Sequence, residues 1–470
     1  MSKTIFRLGA WTLALAMAGC TLAPRYERPA LPVAAQYPAG DSVPARDAVE
    51  LGWREMFTDA RLQALIAAAL ENNRDLRTAV LNAERAQALY RVQRAGQLPQ
   101  IDAQGSLTRG RTPADLSATG AAVTGSEYQV GLGITAFELD LFGRVRSLKD
   151  AALAEYLATA EARDAARIAL IAEVAKAWLA DLALREQMDL ARKTLEARSE
   201  ALTLARQRYE AGASSALDLK LVETLVESAR VAVATLTRRS AQAGNALSLV
   251  VGAPVARGED ASLLSDQQFV ADLPAGLPSQ LLAQRPDLRA AELRLQSANA
   301  SIGAARAAFF PRISLTAGIG SASPELSELF EAGSRSWSFV PQITLPIFDA
   351  GRNRANLRVS QVDRDLAVAG YERSIQAAFR EVADALAARG SFEEQVEAQE
   401  RLRQGQADRL QLAEQRYKAG IASYLDVLDA QRELFDAEQD LVEARQQRLL
   451  NLVDLYRALG GGLRERGTGA

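Results

Sequence analysis

Along most of the chain, apolar residues recur at spacings of four and seven among charged ones, as in helices that bury a single stripe. Leu153 and Leu157, like Val174 and Trp178, stand four apart, while Leu195, Leu202 and Tyr209 stand seven apart. Between Gly143 and Gly212 lie 68 residues without a glycine or proline, rich in Ala, Leu, Arg and Glu, the residues a helix tolerates best. At 1.5 Å per residue a continuous helix there would be about 100 Å long. The pattern therefore predicts coiled-coil-like packing or two helices stacked end to end. The interval from Gly351 to Gly420 has the same character, interrupted by Gly370, Gly390 and Gly405. Abundant alanine allows close approach, so these helices are expected side by side in a wall.

Four segments break this period. Residues 98 to 109, 126 to 138, 310 to 321 and 336 to 348 carry β-branched and aromatic residues, glycines and few charges, and read as strands. Gly131-Leu132-Gly133-Ile134 and Ser336-Trp337-Ser338-Phe339 alternate small or polar with large apolar residues, as a barrel wall requires. Lengths near ten residues suit a strand that crosses a membrane, which needs about 9 to 11. Four strands cannot close a barrel, and an open edge in lipid leaves backbone groups unpaired at several kcal/mol each. Three chains sharing one barrel would supply 12 strands, within the range of known outer-membrane barrels. A small soluble sheet packed on helices is the alternative.

The elements are written twice. Arg208-Tyr209-Glu210-Ala211-Gly212 returns at a spacing of 208 as Arg416-Tyr417-Lys418-Ala419-Gly420, with Leu217-Asp218 matching Leu425-Asp426. Phe142-Gly143-Arg144 maps onto Ala350-Gly351-Arg352 at the same shift. A shift of 212 carries Asp75-Leu76-Arg77 onto Asp287-Leu288-Arg289 and Leu98-Pro99-Gln100-Ile101 onto Phe310-Pro311-Arg312-Ile313. The expected organisation is a first repeat over residues 58 to 265 and a second over 266 to 460, followed by a flexible tail over 461 to 470. In each repeat the glycine after the long helix suits a left-handed cap, so the chain doubles back as a helical hairpin with tips at 208 to 215 and 416 to 423.

Composition removes most chemistry. The 470 residues contain no histidine and one cysteine, which excludes His-based triads, disulfides and most metal sites. No enzyme activity, cofactor or metal is expected. With 55 basic and 58 acidic residues interspersed to a net charge of −3, no basic block suggests nucleic acid.

The lone cysteine ends a leader. Lys3 and Arg7 precede an apolar run from Leu8 to Ala18, then Gly19-Cys20, which reads as an export signal over residues 1 to 19, too short to span a bilayer. This segment resembles a bacterial lipoprotein signal, with Met17 where leucine is usual. That resemblance implies that Cys20 carries covalent lipid, an N-palmitoyl group and an S-diacylglycerol. Thr21 rather than aspartate after it implies the outer membrane. Pro24, Pro29, Pro32, Pro38 and Pro44 make residues 20 to 57 an extended, lipid-anchored segment running over the protein surface.

Arg285-Pro286-Asp287-Leu288, Ala304 to Pro311, Leu345-Pro346-Ile347-Phe348 and Leu428-Asp429-Ala430-Gln431-Arg432 resemble motifs of the outer-membrane factor family, the TolC-like and OprM-like channels of tripartite efflux pumps. The resemblance covers nearly the whole mature chain. It implies a mainly α fold with a membrane β-barrel: a homotrimer whose 12-stranded barrel continues into a helical tunnel across the periplasm. It further implies a passive exit duct for drugs and other small molecules in the outer membrane of a Gram-negative bacterium. Its partners would be a periplasmic adaptor protein and an inner-membrane transporter of the resistance-nodulation-division class. A duct for type I protein secretion or metal-ion efflux, or a non-conducting lipid-anchored scaffold, are alternatives.

The family's periplasmic gate falls on residues 425 to 432. The resemblance gives Leu425 as an apolar constriction, Asp429 as a ring of carboxylates, Arg432 as its partner, and Tyr417, Arg416 and Arg389 as ties between neighbouring helices. The first copy has Leu221 and Thr224 where the second has Asp429 and Arg432. The adaptor is expected at the tips, at Arg208, Tyr209, Gly212, Arg416, Tyr417 and Gly420.

Overall fold

The computed structural model describes residues 21–37, 48–118, 120–256, 263–270, 273 and 278–466; the leader and Cys20 lie outside them. Its elements follow the duplication closely. Helices α1 (Trp53–Met56), α2 (Ala60–Asn72) and α3 (Arg74–Ala95) lead into strands β1 (Ile101–Thr112) and β2 (Val123–Leu139), then α4 (Arg144–Glu210) and α5 (Ala216–Val251). The second half supplies α6 (Leu281–Gln284), α7 (Pro286–Ala307), β3 (Arg312–Ser323), β4 (Arg335–Thr344), α8 (Arg352–Lys418) and α9 (Tyr424–Ala458). Both α4 and α8 are single helices of 67 residues whose bounds coincide at the shift of 208. Of the two predicted alternatives the continuous helix is the one formed, and α8 runs through Gly370, Gly390 and Gly405 without a break.

The strands differ from expectation at their ends. β1 starts at Ile101 because a turn through Ala95–Leu98 and then Pro99 occupy the preceding residues, and it continues through Arg109 and Arg111 to Thr112. β4 stops at Thr344, two residues before Pro346, so Leu345 to Phe348 lie outside it.

Two compact units divide the chain, and each draws on both copies of the duplication. The first comprises the described residues within 21–29, 82–159 and 290–371. Its sheet is antiparallel throughout in the order β1-β2-β3-β4. Below the sheet Glu138 ties the start of α4 to β3, bonding Arg144 at 2.6 Å and Arg312 at 2.8 Å, while Phe142 stacks on Phe310 at 4.8 Å. Residues 21–29 of the proline-rich segment form no helix or strand. Asn299 donates to the Pro24 carbonyl at 2.8 Å, Arg306 to the Leu22 carbonyl at 3.1 Å, and Arg28 pairs with Glu292 at 2.8 Å. Gly303 has to be a glycine at this crossing, since a Cβ would fall 2.5 Å from the Ser147 hydroxyl and 2.8 Å from the Ala23 nitrogen.

The second unit comprises the described residues within 30–81, 160–289 and 372–466. Its core joins Trp53, Met56 and Phe57 with Ile66, the α4 residues Ile171, Val174, Trp178 and Leu179, Leu247 of α5, and Val453 and Tyr456 of α9. The phenol of Tyr456 donates to the Leu51 carbonyl at 2.7 Å in the buried interior.

Of the tail expected over 461 to 470, residues 461–466 are described and 467–470 lie outside the described residues. Trp53 and Arg54 donate backbone hydrogen bonds to the Arg464 and Glu465 carbonyls at 3.0 and 3.2 Å, and Arg54 pairs with Glu465 at 2.6 Å. Gly461 is packed on the Tyr456 ring. Residues 461–466 are thus clasped to α1, because this glycine-rich run can lie flat against a large aromatic ring where residues with side chains would clash.

Candidate functional site: hairpin tips and barrel wall

The two hairpins end in the same local structure, for the same chemical reasons. Gly212 and Gly420 adopt φ of 68° and 72°, the left-handed region that glycine enters without strain. Ala213 then donates to the Arg208 carbonyl at 2.8 Å and Ile421 to the Arg416 carbonyl at 2.9 Å, closing both helix C-termini as Schellman turns. Ser215 and Asp218 form a capping box at the start of α5, and Ser423 and Asp426 repeat it at α9. The bonds from Ser215 hold the Asp218 carboxyl below its ordinary range.

The tips meet each other. The Arg208 guanidinium donates to the Tyr417 hydroxyl, and the Tyr417 and Tyr424 rings lie 5.0 Å apart. A cleft of about 230 Å³ opens between them, lined by Leu204, Arg208, Ser214, Asp218, Tyr417 and Tyr424. Burial pushes the Tyr424 phenol up, with Tyr417 and Glu414 adding to the shift, so it stays neutral and can donate.

Of the residues assigned to the gate, the structure joins Asp429 and Arg432 at 2.7 Å on one face of α9. It adds a partner that the sequence reading missed: Arg409 of α8 also reaches Asp429 at 2.7 Å. An antiparallel hairpin is the signal that could have found it, since α8 must run back alongside α9. Leu425 is 56% exposed. Arg416 is exposed at the end of α8, while Tyr209, Gly212 and Gly420 are exposed around the turns. Arg389 is half-buried and partnered, but it sits 27 residues before Arg416 on one continuous helix, about 40 Å away. The structure therefore does not join Arg389 to the cluster at the tip. In the first copy Leu221 is half-buried and the Thr224 hydroxyl bonds back to the Lys220 carbonyl at 2.9 Å, so the Asp429–Arg432 pair has no equivalent at those positions, and Glu223 beside them pairs with Lys220 at 2.6 Å instead.

The sheet has two unlike faces. Strand alternation and the observed register put Ile101, Leu132, Ile319, Trp337, Phe339 and Ile343 on one face, and Asp102, Gln104, Gln129, Thr316, Ser338 and Gln342 on the other. The large apolar side chains on the first face are exposed, Trp337 at 79% and Ile319 at 68%. Two pairs of glycines, Gly131 opposite Gly320 and Gly133 opposite Gly318, keep the middle of the polar face bare. Among the described residues there is no acid or cysteine cluster able to hold a metal, and no helix is long and apolar enough to cross a membrane.

Antiparallel hairpins capped alike, and a sheet with one apolar and one polar face, are the parts of a membrane channel made of a strand wall and helices. The chain belongs to the outer membrane efflux protein family, whose profile matches residues 65–253 and 277–461, and it is an outer-membrane channel component of an efflux pump. It is 47% identical over 474 residues to the antibiotic efflux pump outer membrane protein ArpC of Pseudomonas putida, covering 99% of this chain and 97% of that one. It is 49% identical over 457 residues to the solvent efflux pump outer membrane protein SrpC of Pseudomonas putida, covering 95% and 96%. Among solved structures it resembles the open state of the Neisseria gonorrhoeae MtrE outer membrane channel, with a TM-score of 0.87 at 42% identity over 96% of this chain and 100% of that one.

Proposed function

We propose that three copies of this chain assemble into one passive exit duct, with a shared barrel in the outer membrane and a gate at the hairpin tips. The open sheet carries this reading. β1 and β4 each leave one edge unpaired, and lipid tolerates no such edge. Joining β4 of one copy to β1 of the next keeps the pairing antiparallel around the ring and closes it at 12 strands. The polar face then lines the lumen and the apolar face meets lipid.

At the gate, Leu425 supplies an apolar ring that resists wetting, and Asp429 an acidic ring that favours cations over anions. Arg409 and Arg432 hold Asp429 in place. The tips with Arg208, Tyr209, Gly212, Arg416, Tyr417 and Gly420 receive a periplasmic adaptor, and an inner-membrane transporter supplies the energy. Antibiotics and organic solvents are the cargo, by analogy with the names of the relatives. Cys20 carries the lipid. This is supported by its neighbour Thr21, whose hydroxyl lies 3.3 Å from that of Ser147, eight residues past the end of β2. A lipid there enters the membrane beside the strands it anchors.

The reading is tested by reconstituting the purified protein in planar bilayers beside a variant with Leu425→Ala and Asp429→Ala. Mass photometry should give a trimer for both, and the variant should conduct more. A monomer, or equal conductance from two folded trimers, would overturn the shared barrel or the gate respectively.

A further inference from the structure

The cleft of about 230 Å³ at the tips takes its walls from both copies of the duplication. Leu204, Ser214, Asp218 and Val222 belong to the first hairpin, Tyr417 and Tyr424 to the second. Leu204, Val222 and the two phenol rings give it an apolar lining, and three polar groups in its wall keep bonding capacity to spare. The Ser214 hydroxyl is buried with no hydrogen-bond partner among the described residues. Both bonds from Ser215, from its nitrogen at 3.1 Å and its hydroxyl at 2.8 Å, fall on Oδ2 of Asp218, which leaves Oδ1 without a bond among the described residues. The neutral Tyr424 phenol makes no hydrogen bond among them either.

A buried hydroxyl without a partner is destabilising, so the partner has to come from what fills the cleft. Water could satisfy Ser214 but not the apolar walls beside it. An apolar cavity of about 150 Å³ binds benzene, so this one has room for a benzene ring with one or two small substituents. Tyr417 and Tyr424 suit an aromatic ring, and a hydroxyl on that ring has both an acceptor in Asp218 and a donor in Ser214 to meet it. Charge is excluded on both sides: the Asp218 carboxylate opposes an anion, and the Arg208 guanidinium in the same wall opposes a cation.

We propose that this cleft binds a small neutral phenol and that the bound ring holds the two hairpin tips together. The proposal rests on the tips acting as a gate. Its sign follows from linkage, because a ligand shifts an equilibrium only toward the state it binds better. The complete cleft exists only while both hairpins stand side by side. Parting them strips Tyr417 and Tyr424 from the ligand, so the phenol favours the closed gate.

The probe is p-cresol, with toluene as a control of nearly the same size that lacks the hydroxyl. Saturation-transfer NMR on the full-length protein in detergent reads binding, and open probability in planar bilayers reads the gate. p-Cresol should bind at roughly millimolar concentration, as befits so few atoms, and should lower open probability. Ser214→Ala should weaken binding roughly fivefold, the effect of one neutral hydrogen bond. Ala205→Phe, which fills the cleft from the α4 side, should abolish both responses while mass photometry still gives a trimer. Equal transfer to the unaltered, Ser214→Ala and Ala205→Phe proteins would overturn the site and leave the gate reading standing. Equal action by toluene would overturn the phenol as its ligand, since toluene enters detergent and lipid at least as readily. Binding that Ala205→Phe removes, with open probability unchanged throughout, would instead refute the gate at the tips.

Discussion

Arg208 at the end of the first long helix donates a hydrogen bond to the phenol of Tyr417 at the end of the second, joining two residues 209 positions apart and both assigned to the tips. The two copies of one motif are thus locked to each other, with Arg208 from one copy and Tyr417 from the other. Arg208→Ala and Tyr417→Phe should each loosen the hairpins, and the double variant should add little beyond the larger single effect. Such a hydrogen bond to a half-exposed guanidinium contributes about 1 kcal/mol or less. Open probability in planar bilayers, measured as a double-mutant cycle, checks this; strictly additive effects would mean that the contact plays no part in closure.

Gly320 packs so closely on β2 that a Cβ would lie 2.2 Å from the Val130 carbonyl oxygen and 2.7 Å from the Gly131 Cα. Gly320→Ala should cost about 1–3 kcal/mol through overpacking and lower the yield of folded channel. Gly110→Ala, where no atom lies within 4 Å of the added carbon, should be tolerated. Heat-modified migration of the two variants on gels compares them directly.

The C-terminal clasp makes a third test. Tyr456→Phe leaves the Leu51 carbonyl short of a buried partner and should destabilise the protein by about 1–2 kcal/mol. Gly461→Ala should be worse, since its Cβ would lie 2.2 Å from the Tyr456 ring. Thermal unfolding followed by circular dichroism gives both values. Unchanged melting on deletion of residues 461–470 would show that the clasp contributes nothing.

Asp287 lies in the first turn of α7, where Arg285 bonds it at 2.7 Å. Burial raises its carboxyl pKa, but the hydrogen bond and charge of Arg285 outweigh burial and hold it below the ordinary value. A depressed folded-state pKa stabilises above the unfolded value, about 3.9, and that contribution fades as pH falls through the folded one. The side chain is 43% exposed, so solvent screens the effect and the loss should be small. Melting temperature should fall between pH 5 and 3 more steeply in the unaltered protein than in Asp287→Asn. Parallel curves would remove Asp287 from the acid response.

Much of the architecture was legible because it is local and repeated. Helix-forming composition from Gly143 to Gly212, left-handed glycines at 212 and 420, and strands of alternating character all act over a few residues, and the second copy confirmed the first. Strand ends were missed where a turn or a proline interrupts hydrogen bonding, as at Pro99 and Pro346. The contacts of residues 461–466 were not legible, because their partner Tyr456 presents a ring whose orientation depends on the whole core.

The chain by itself thus determined the element order, the duplication and the hairpin turns, since backbone conformation and helix capping depend on neighbours in sequence. Only the tertiary structure decided that Arg409 shares Asp429 with Arg432, that Arg208 reaches Tyr417, and that Arg389 stands far along the helix from the tip. Such pairs depend on which faces of two antiparallel helices meet, and that angle is set by packing summed over many side chains rather than by any spacing along the chain.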